Sequence, residues 1–153
     1  MKIETKRLFL YPIDNDVMEL LIRNERDEEM KKAYCEMLQG CLEHPQNRIW
    51  YAVWLMELKD SGAIVGDFCF KGLNKDGMVE IGYGLRDGCC GNGYMTEALN
   101  TIANRVLNLE YISRIEAETE PSNIASQKVL RSCGFTPTGT IGEEGPRFVK
   151  FKA

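Results

Sequence analysis

The run from Val79 to Glu120 excludes most architectures, because it reads strand, glycine-rich turn, amphipathic helix, strand. VEIGYGL alternates in the manner of a strand and is followed by GCCGNG. Met95, Ala98, Leu99, Ile102 and Val106 then recur at three- and four-residue intervals, the spacing of one helical face. SRIEAETE (113–120) is extended again. A strand–helix–strand unit implies a right-handed parallel crossover. Upstream, WYAVWLMEL (50–58), AIVGDFCFKGL (63–73) and MVEIGYGL (78–85) are joined by the short turns KDSG and NKDG, which predicts an antiparallel meander. The first of these is apolar on both faces and belongs inside a sheet. IETKRLFLYPI (3–13) reads as an opening strand ended by Pro12, and two segments with helical spacing follow at 15–23 and 27–39. A last helix is expected from Asn123 to Cys133 with Gly134 as its left-handed cap, and FTPTGTI and PRFVKF read as closing strands. The expectation is an α+β fold: a mixed, largely antiparallel sheet of six to seven strands flanked by about four helices, with residues 1–153 forming a single domain.

The 153 residues are 44% hydrophobic and 27% charged, a globular balance. No apolar run approaches the roughly 18 residues needed to span a membrane. The opening MKIETKRLFLYPID lacks the apolar core of a signal peptide, so a cytoplasmic protein without a membrane partner is expected. The net charge of -4 and the absence of a basic stripe argue against nucleic acid and are compatible with a cationic partner. The six cysteines, at 35, 41, 69, 89, 90 and 133, include no C-x-x-C, and the lone His44 lies far from any pair, so no metal site is expected. Neighbours such as Cys89 and Cys90 cannot bridge each other without strain. Most of the cysteines are expected as small core residues.

Glycines leading from a strand into a helix suggest an anion site, since the first helical turn has unpaired N–H groups at the positive end of the dipole. Gly88-x-x-x-x-Gly93 has the spacing of a triphosphate loop, but Tyr94 and Met95 stand where Lys and Ser/Thr are required. Gly91-x-Gly93 lacks the third glycine of a dinucleotide fingerprint, where Thr96 stands, and follows a meander instead of a parallel half. A diphosphate held in a nest of consecutive amides remains. A plain tight turn stays equally open on loop chemistry alone.

The flanking strands add to this. Alternation puts Val79, Ile81, Tyr83 and Leu85 on one face of VEIGYGL and Glu80, Gly82 and Gly84 on the other. Two glycines on one face leave a bare strip of backbone that another group can approach. Glu116, Glu118 and Glu120 share one face of the later strand. A solvated acidic edge and a carboxylate-lined cleft both fit that pattern.

These residues resemble the GNAT superfamily of N-acetyltransferases over nearly the whole chain. IETKRLFLYPID is similar to that family's first strand, EIGYGL with CGNGYMTEAL to its fourth strand and pyrophosphate loop, and RIEAETEPSNIASQKVLRSCGF to its fifth strand and following helix. The N-x-A-S-x-x-V-L-x-x-x-G-F pattern from Asn123 to Phe135 is the most specific part. The branch it most resembles includes ribosomal-protein alanine acetyltransferases. The resemblance implies a GNAT-type sheet and acetyl-CoA as cofactor. The pyrophosphate would lie on the amides of Cys89, Cys90, Gly91, Asn92, Gly93, Tyr94 and Met95, with the Thr96 hydroxyl. The pantetheine arm would run along Tyr83, Gly84 and Leu85 like an added strand, and Asn123 and Ser126 would reach the pantetheine or the thioester sulfur. Two positions depart from the family. Gly88 stands where Gln or Arg is common, with its backbone N–H unaffected. Leu130 stands where many members place a general-acid tyrosine, which leaves Ser126, a water or no protein acid.

The implied reaction moves an acetyl group to a primary amine by direct attack on the thioester. No acyl-enzyme is expected, because Cys89 and Cys90 have no partnered base. Deprotonating a lysine amine at pH 7 costs about 4.6 kcal/mol, whereas an α-amine costs about 1.4 kcal/mol. A carboxylate base is therefore most useful for a lysine-like acceptor. Glu80 and Glu118 are the candidates, with Glu120 third, and a main-chain N–H near Leu85 would stabilise the developing oxyanion. Ser126 has two readings, aid to the departing thiolate or a helix-start hydroxyl bonding a free N–H. The acceptor is an amine-bearing small molecule, peptide or protein N-terminus, and a homodimer is open on general grounds. The alternative from another class is a non-catalytic acyl-CoA-binding sensor or subunit.

Overall fold

The computed structural model describes residues 1–152. The chain begins with β1 (Ile3–Glu4) and β2 (Leu8–Pro12), continues through α1 (Asn15–Asn24), α2 (Glu28–Glu43) and a 3₁₀ turn (Pro45–Trp50), and enters the meander β3 (Val53–Leu58), β4 (Ile64–Leu73) and β5 (Met78–Leu85). After it come α3 (Tyr94–Leu107), β6 (Arg114–Glu118), α4 (Ile124–Ser132), β7 (Thr136–Ile141) and β8 (Pro146–Phe151). The strands form one sheet in the order β1-β2-β3-β4-β5-β6-β8-β7. Every neighbouring pair is antiparallel except β5 and β6. The α+β class and the crossover are as expected.

Eight strands appear where six to seven were expected, because the opening segment is a hairpin and not one strand. Thr5 N–H donates to Leu8 O at 2.9 Å, which folds Ile3 back opposite Leu10. WYAVWLMEL also starts later than its apolar run suggests. Trp50 closes the 3₁₀ turn that Pro45 begins, and Arg48 ties that turn to Ile13 O and Asn15 Oδ1. From Val53 onward the expectation holds, with β3 lying between β2 and β4 and both of its faces packed.

Two apolar clusters explain the layering. Trp54, Phe68, Phe70, Val79, Ile81, Ile115, Ala117 and Phe148 bury one sheet face against α3 and α4. Val53 and Ala52 meet Met18 of α1 and Tyr34 and Cys41 of α2 on the other. Strand alternation therefore sends Val79, Ile81 and Tyr83 toward α3 and α4, and Glu80, Gly82 and Gly84 toward α1 and α2. Of the cysteines, only Cys41 and Cys133 are core residues, whereas Cys69 and Cys89 are half-buried and Cys35 and Cys90 exposed. This is fewer core positions than expected, because Cys90 falls in the loop and Cys35 on the outer side of α2. α4 ends in a Schellman turn: Gly134 (φ 88°) N–H donates to Arg131 O, and Phe135 N–H to Leu130 O. No helix among the described residues is long and apolar enough to cross a membrane.

Candidate active site

β5 and β6 pair only at Met78–Arg114, Val79–Ile115 and Glu80–Glu116. Both strands run on beyond that point, so they diverge and leave the β6-side edge of β5 without a strand partner from Ile81 to Leu85. The loop 86–93 turns from the end of β5 into α3 through three left-handed glycines, Gly88 (φ 78°), Gly91 (φ 83°) and Gly93 (φ 78°). A side chain would be strained at each. Gly93 is the N-cap of α3, and no side chain caps that helix. The first-turn amides therefore open into solvent beside the bare edge, a site suited to an anion.

A cleft of about 410 Å³ occupies this position. Tyr83, Gly84, Leu85, Cys90, Gly91, Gly93, Tyr94, Met95, Thr96, Asn123 and Ser126 line it, together with Ala125 and Val129, which the sequence did not single out. Cys89 and Asn92 do not line it. Cys89 packs against the core, and Asn92 Nδ2 folds back onto Cys89 O and Cys90 O. A Cβ on Gly84, Gly88 or Gly91 would meet nothing within 4 Å. The capless helix start, the left-handed glycines and the free strand edge together fit a diphosphate with an extended arm, the shape of a coenzyme A derivative.

The far wall removes the cap reading of Ser126. Asn123 caps α4, its Oδ1 accepting from Ser126 N–H at 3.0 Å, so the Ser126 hydroxyl is not the cap. Ser126 Oγ instead lies 2.8 Å from the Tyr83 hydroxyl. Burial pushes the Tyr83 phenol up to about 12, against the opposing effect of the Ser126 hydrogen bond. Tyr83 therefore stays a proton donor throughout the neutral range. Leu130 is fully buried, and nothing polar occupies that position.

Glu80 and Glu118 lie elsewhere than expected. Both project from the face toward α1 and α2, where Arg147 of β8 gathers them into one ion cluster. Arg147 Nη2 contacts Glu80 Oε1 at 2.9 Å and Glu116 Oε1 at 3.0 Å, and its Nη1 contacts Glu118. Lys71 Nζ adds a second cation 3.1 Å from Glu80 Oε2. Burial raises the Glu118 carboxyl, but the Glu144 amide and Arg147 outweigh it and hold it below the ordinary range. Burial lowers the Arg147 guanidinium, and the hydrogen bonds it donates to three carboxylates more than reverse this. Neither glutamate is an open base: both oxygens of Glu80 meet cations, and those of Glu118 meet Arg147 and the Glu144 amide. Glu120 is exposed beyond the end of β6. The sequence reading missed Arg147, whose one signal was a cation in the apolar strand PRFVKF. It also missed Arg7, whose guanidinium lies 4.7 Å from the centroid of the Tyr94 ring at the start of α3.

The family described as Acetyltransferase (GNAT) domain matches residues 5–136. The chain is 39% identical over 83 residues to the Bacillus subtilis (strain 168) protein called uncharacterized N-acetyltransferase YjdG, covering 54% of this chain and 49% of that protein. It is 31% identical over 85 residues to the uncharacterized N-acetyltransferase p20 of Bacillus licheniformis, covering 55% and 48%. The matched stretch thus spans about half the length of each curated relative. Among solved structures, the RimL ribosomal L7/L12 alpha-N-protein acetyltransferase in complex with coenzyme A superposes with a TM-score of 0.77 at 18% identity, over 99% of this chain and 98% of that one. The ribosomal-protein-S5-alanine acetyltransferase of Vibrio fischeri also gives 0.77, at 17% identity over 99% and 97%.

Proposed function

The chain belongs to the GNAT family of acetyltransferases, and from that membership we propose that it transfers an acetyl group from acetyl-CoA to a primary amine by direct attack on the thioester. The observation that carries this reading is the uncapped start of α3 opening, behind three left-handed glycines, into a cleft along the free edge of β5. Bound there, acetyl-CoA supplies an acetyl group already activated as a thioester.

The chain's own residues divide the remaining work. Amides from Gly91 to Met95 would hold the diphosphate. Main-chain groups of Tyr83, Gly84 and Leu85 would align the pantetheine arm, as a strand edge aligns an added strand. The Ser126 hydroxyl, held by Tyr83, is the protein's proton donor to the departing sulfur. Ser126 stands on the same helix as Leu130 and supplies the hydroxyl that Leu130 lacks, with the Tyr83 phenol behind it. Donors lining the cleft weigh against a non-catalytic sensor.

Several proteins of similar fold are named for acetylating ribosomal proteins. A peptide or protein amine is accordingly the proposed acceptor class.

Calorimetry with coenzyme A, followed by thiol release from acetyl-CoA in the presence of amines and peptides, tests the reading. Saturable binding together with amine-dependent release supports it, and the absence of saturable heat sinks it. Saturable binding without release from any amine would favour the sensor.

A further inference from the structure

The carboxylates on the sheet face toward α1 and α2 are not equivalent. Glu80, Glu116 and Glu118 share Arg147, whereas Asp67 stands outside that cluster. Asp67 lies on β4 directly opposite Gly84 of β5. Its one ion-pair partner among the described residues is the half-exposed Arg86, at 3.7 Å and so beyond hydrogen-bond reach.

Asp67 sits in a cup of about 200 Å³ walled by Met30, Tyr34 and Met37 of α2, Val53 of β3, and Gly82 and Gly84. The cup and the cofactor cleft both include Tyr83 and Gly84. They therefore meet at β5 along the stretch where that strand has lost β6 as its neighbour. Gly84 has no left-handed backbone, and a Cβ there would meet nothing within 4 Å. Packing within the protein does not account for its missing side chain, and the bare backbone leaves the cup open to an occupant. Burial holds the Asp67 carboxyl above its ordinary range, with Arg86 opposing. Burial also pushes up the Tyr34 phenol facing it from α2, and takes the neighbouring Cys69 thiol to about 11. Both of those groups are neutral at pH 7, so Asp67 is the one carboxylate lining the cup, with Arg86 beside it and Lys71, over Gly82, already paired with Glu80.

We propose that Asp67 seats the acceptor as a primary ammonium on an apolar stem and removes one of its protons. In this step an N–H bond of the ammonium breaks, its electron pair stays on nitrogen, and an O–H bond forms on the Asp67 carboxyl, which later releases the proton to solvent. The catalytic half of this assignment rests on the acetyl-transfer reading, whereas the binding half stands without it.

The test is titration of the whole chain with n-butylammonium chloride, followed by the amide NMR shifts of Cys69, Gly82 and Gly84. Saturable shifts are expected, weakened about tenfold or more in Asp67→Asn and absent with n-butanol. Gly84→Val fills the cup from the strand beside Asp67 and should abolish the Cys69 and Gly82 shifts, which keeps the claim testable if the aspartate variant misfolds. Equal affinity in wild type and Asp67→Asn, or undiminished binding in Gly84→Val, overturns the proposal. Coenzyme A calorimetry on the same samples separates the two readings. Coenzyme A heat without Asp67-dependent ammonium binding refutes the seat alone, whereas Asp67-dependent binding without coenzyme A heat supports the seat and refutes acetyl transfer. Where both bind, thiol release with n-butylamine should fall about 100-fold in kcat/KM in Asp67→Asn, with KM for acetyl-CoA within about twofold. A fall of less than about threefold removes the proton-accepting role.

Discussion

The Tyr83 hydroxyl, from β5, lies 2.8 Å from Ser126 Oγ, from the first turn of α4, so a hydrogen bond between two hydroxyls joins the two walls of the cleft. The phenol, raised to about 12, stays protonated through the neutral range. Tyr83→Phe keeps the ring and removes only that hydroxyl. It should lower kcat about tenfold, or about 1.4 kcal/mol, while leaving coenzyme A affinity within about twofold. The kcat profile between about pH 7 and pH 9 should keep its shape, because Tyr83 does not titrate there. A change in affinity alone would make Tyr83 a wall and not a positioning residue.

At Gly93 conformation and binding make the same demand. Its φ of 78° and its place as N-cap mean that Gly93→Ala strains the turn into α3. The left-handed backbone costs a residue with a Cβ about 1–2 kcal/mol. Urea unfolding should show that loss. Coenzyme A binding should weaken about tenfold as well, because the same turn aims the first amides of the helix. A stability loss with full affinity would remove this loop from the diphosphate site.

Local periodicity made the frame of this site legible. β5, the glycine turn, α3 and the Gly134 stop each depend on residues within a few positions of one another. The ion cluster was not legible, because Glu118 meets Arg147 only through the register of β6 on β8, across 29 positions of sequence. Alternation set Glu80 beside Gly82 and Gly84, and Glu118 beside Glu116, but could not show a cation between the two strands. The role of Ser126 was undecided for a different reason, because Asn123 shares its chemistry. Both are good cap residues three positions apart, and only the reach of Tyr83 across the cleft separates them.

That cluster sets an expectation for Arg147. Its side chain and those of Glu80, Glu116 and Glu118 are each under a fifth exposed. Removing the guanidinium leaves three carboxylates with only Lys71 and Arg114 nearby. Arg147→Met should cost about 3 kcal/mol of stability, because an uncompensated buried charge is worse than an absent pair. Chemical denaturation at pH 7 measures this. The same change combined with Glu80→Gln and Glu118→Gln should recover part of the loss, whereas no recovery would assign the cost to packing of the arginine stem.

Glu97 ties the opening hairpin to the start of α3, and its charge, more than its bulk, should carry that tie. Its carboxylate accepts from the Thr5 hydroxyl, from Arg7 N–H at 2.8 Å and from Arg7 Nε at 2.8 Å. Burial raises its pKa, and the three donors with the Arg7 charge more than compensate, leaving it below the ordinary carboxylate range. Because the folded value is the lower one, its stabilisation is fully present above the unfolded value of about 4.3 and is lost as pH falls through the folded value. Glu97→Gln should therefore cost about 2 kcal/mol at pH 7, the scale of a charge-assisted hydrogen bond. Urea midpoints for wild type and variant should converge as the pH approaches 3. Convergence assigns the tie to the ionised carboxylate, whereas a gap of equal size at both pH values would assign it to the shape of the side chain alone.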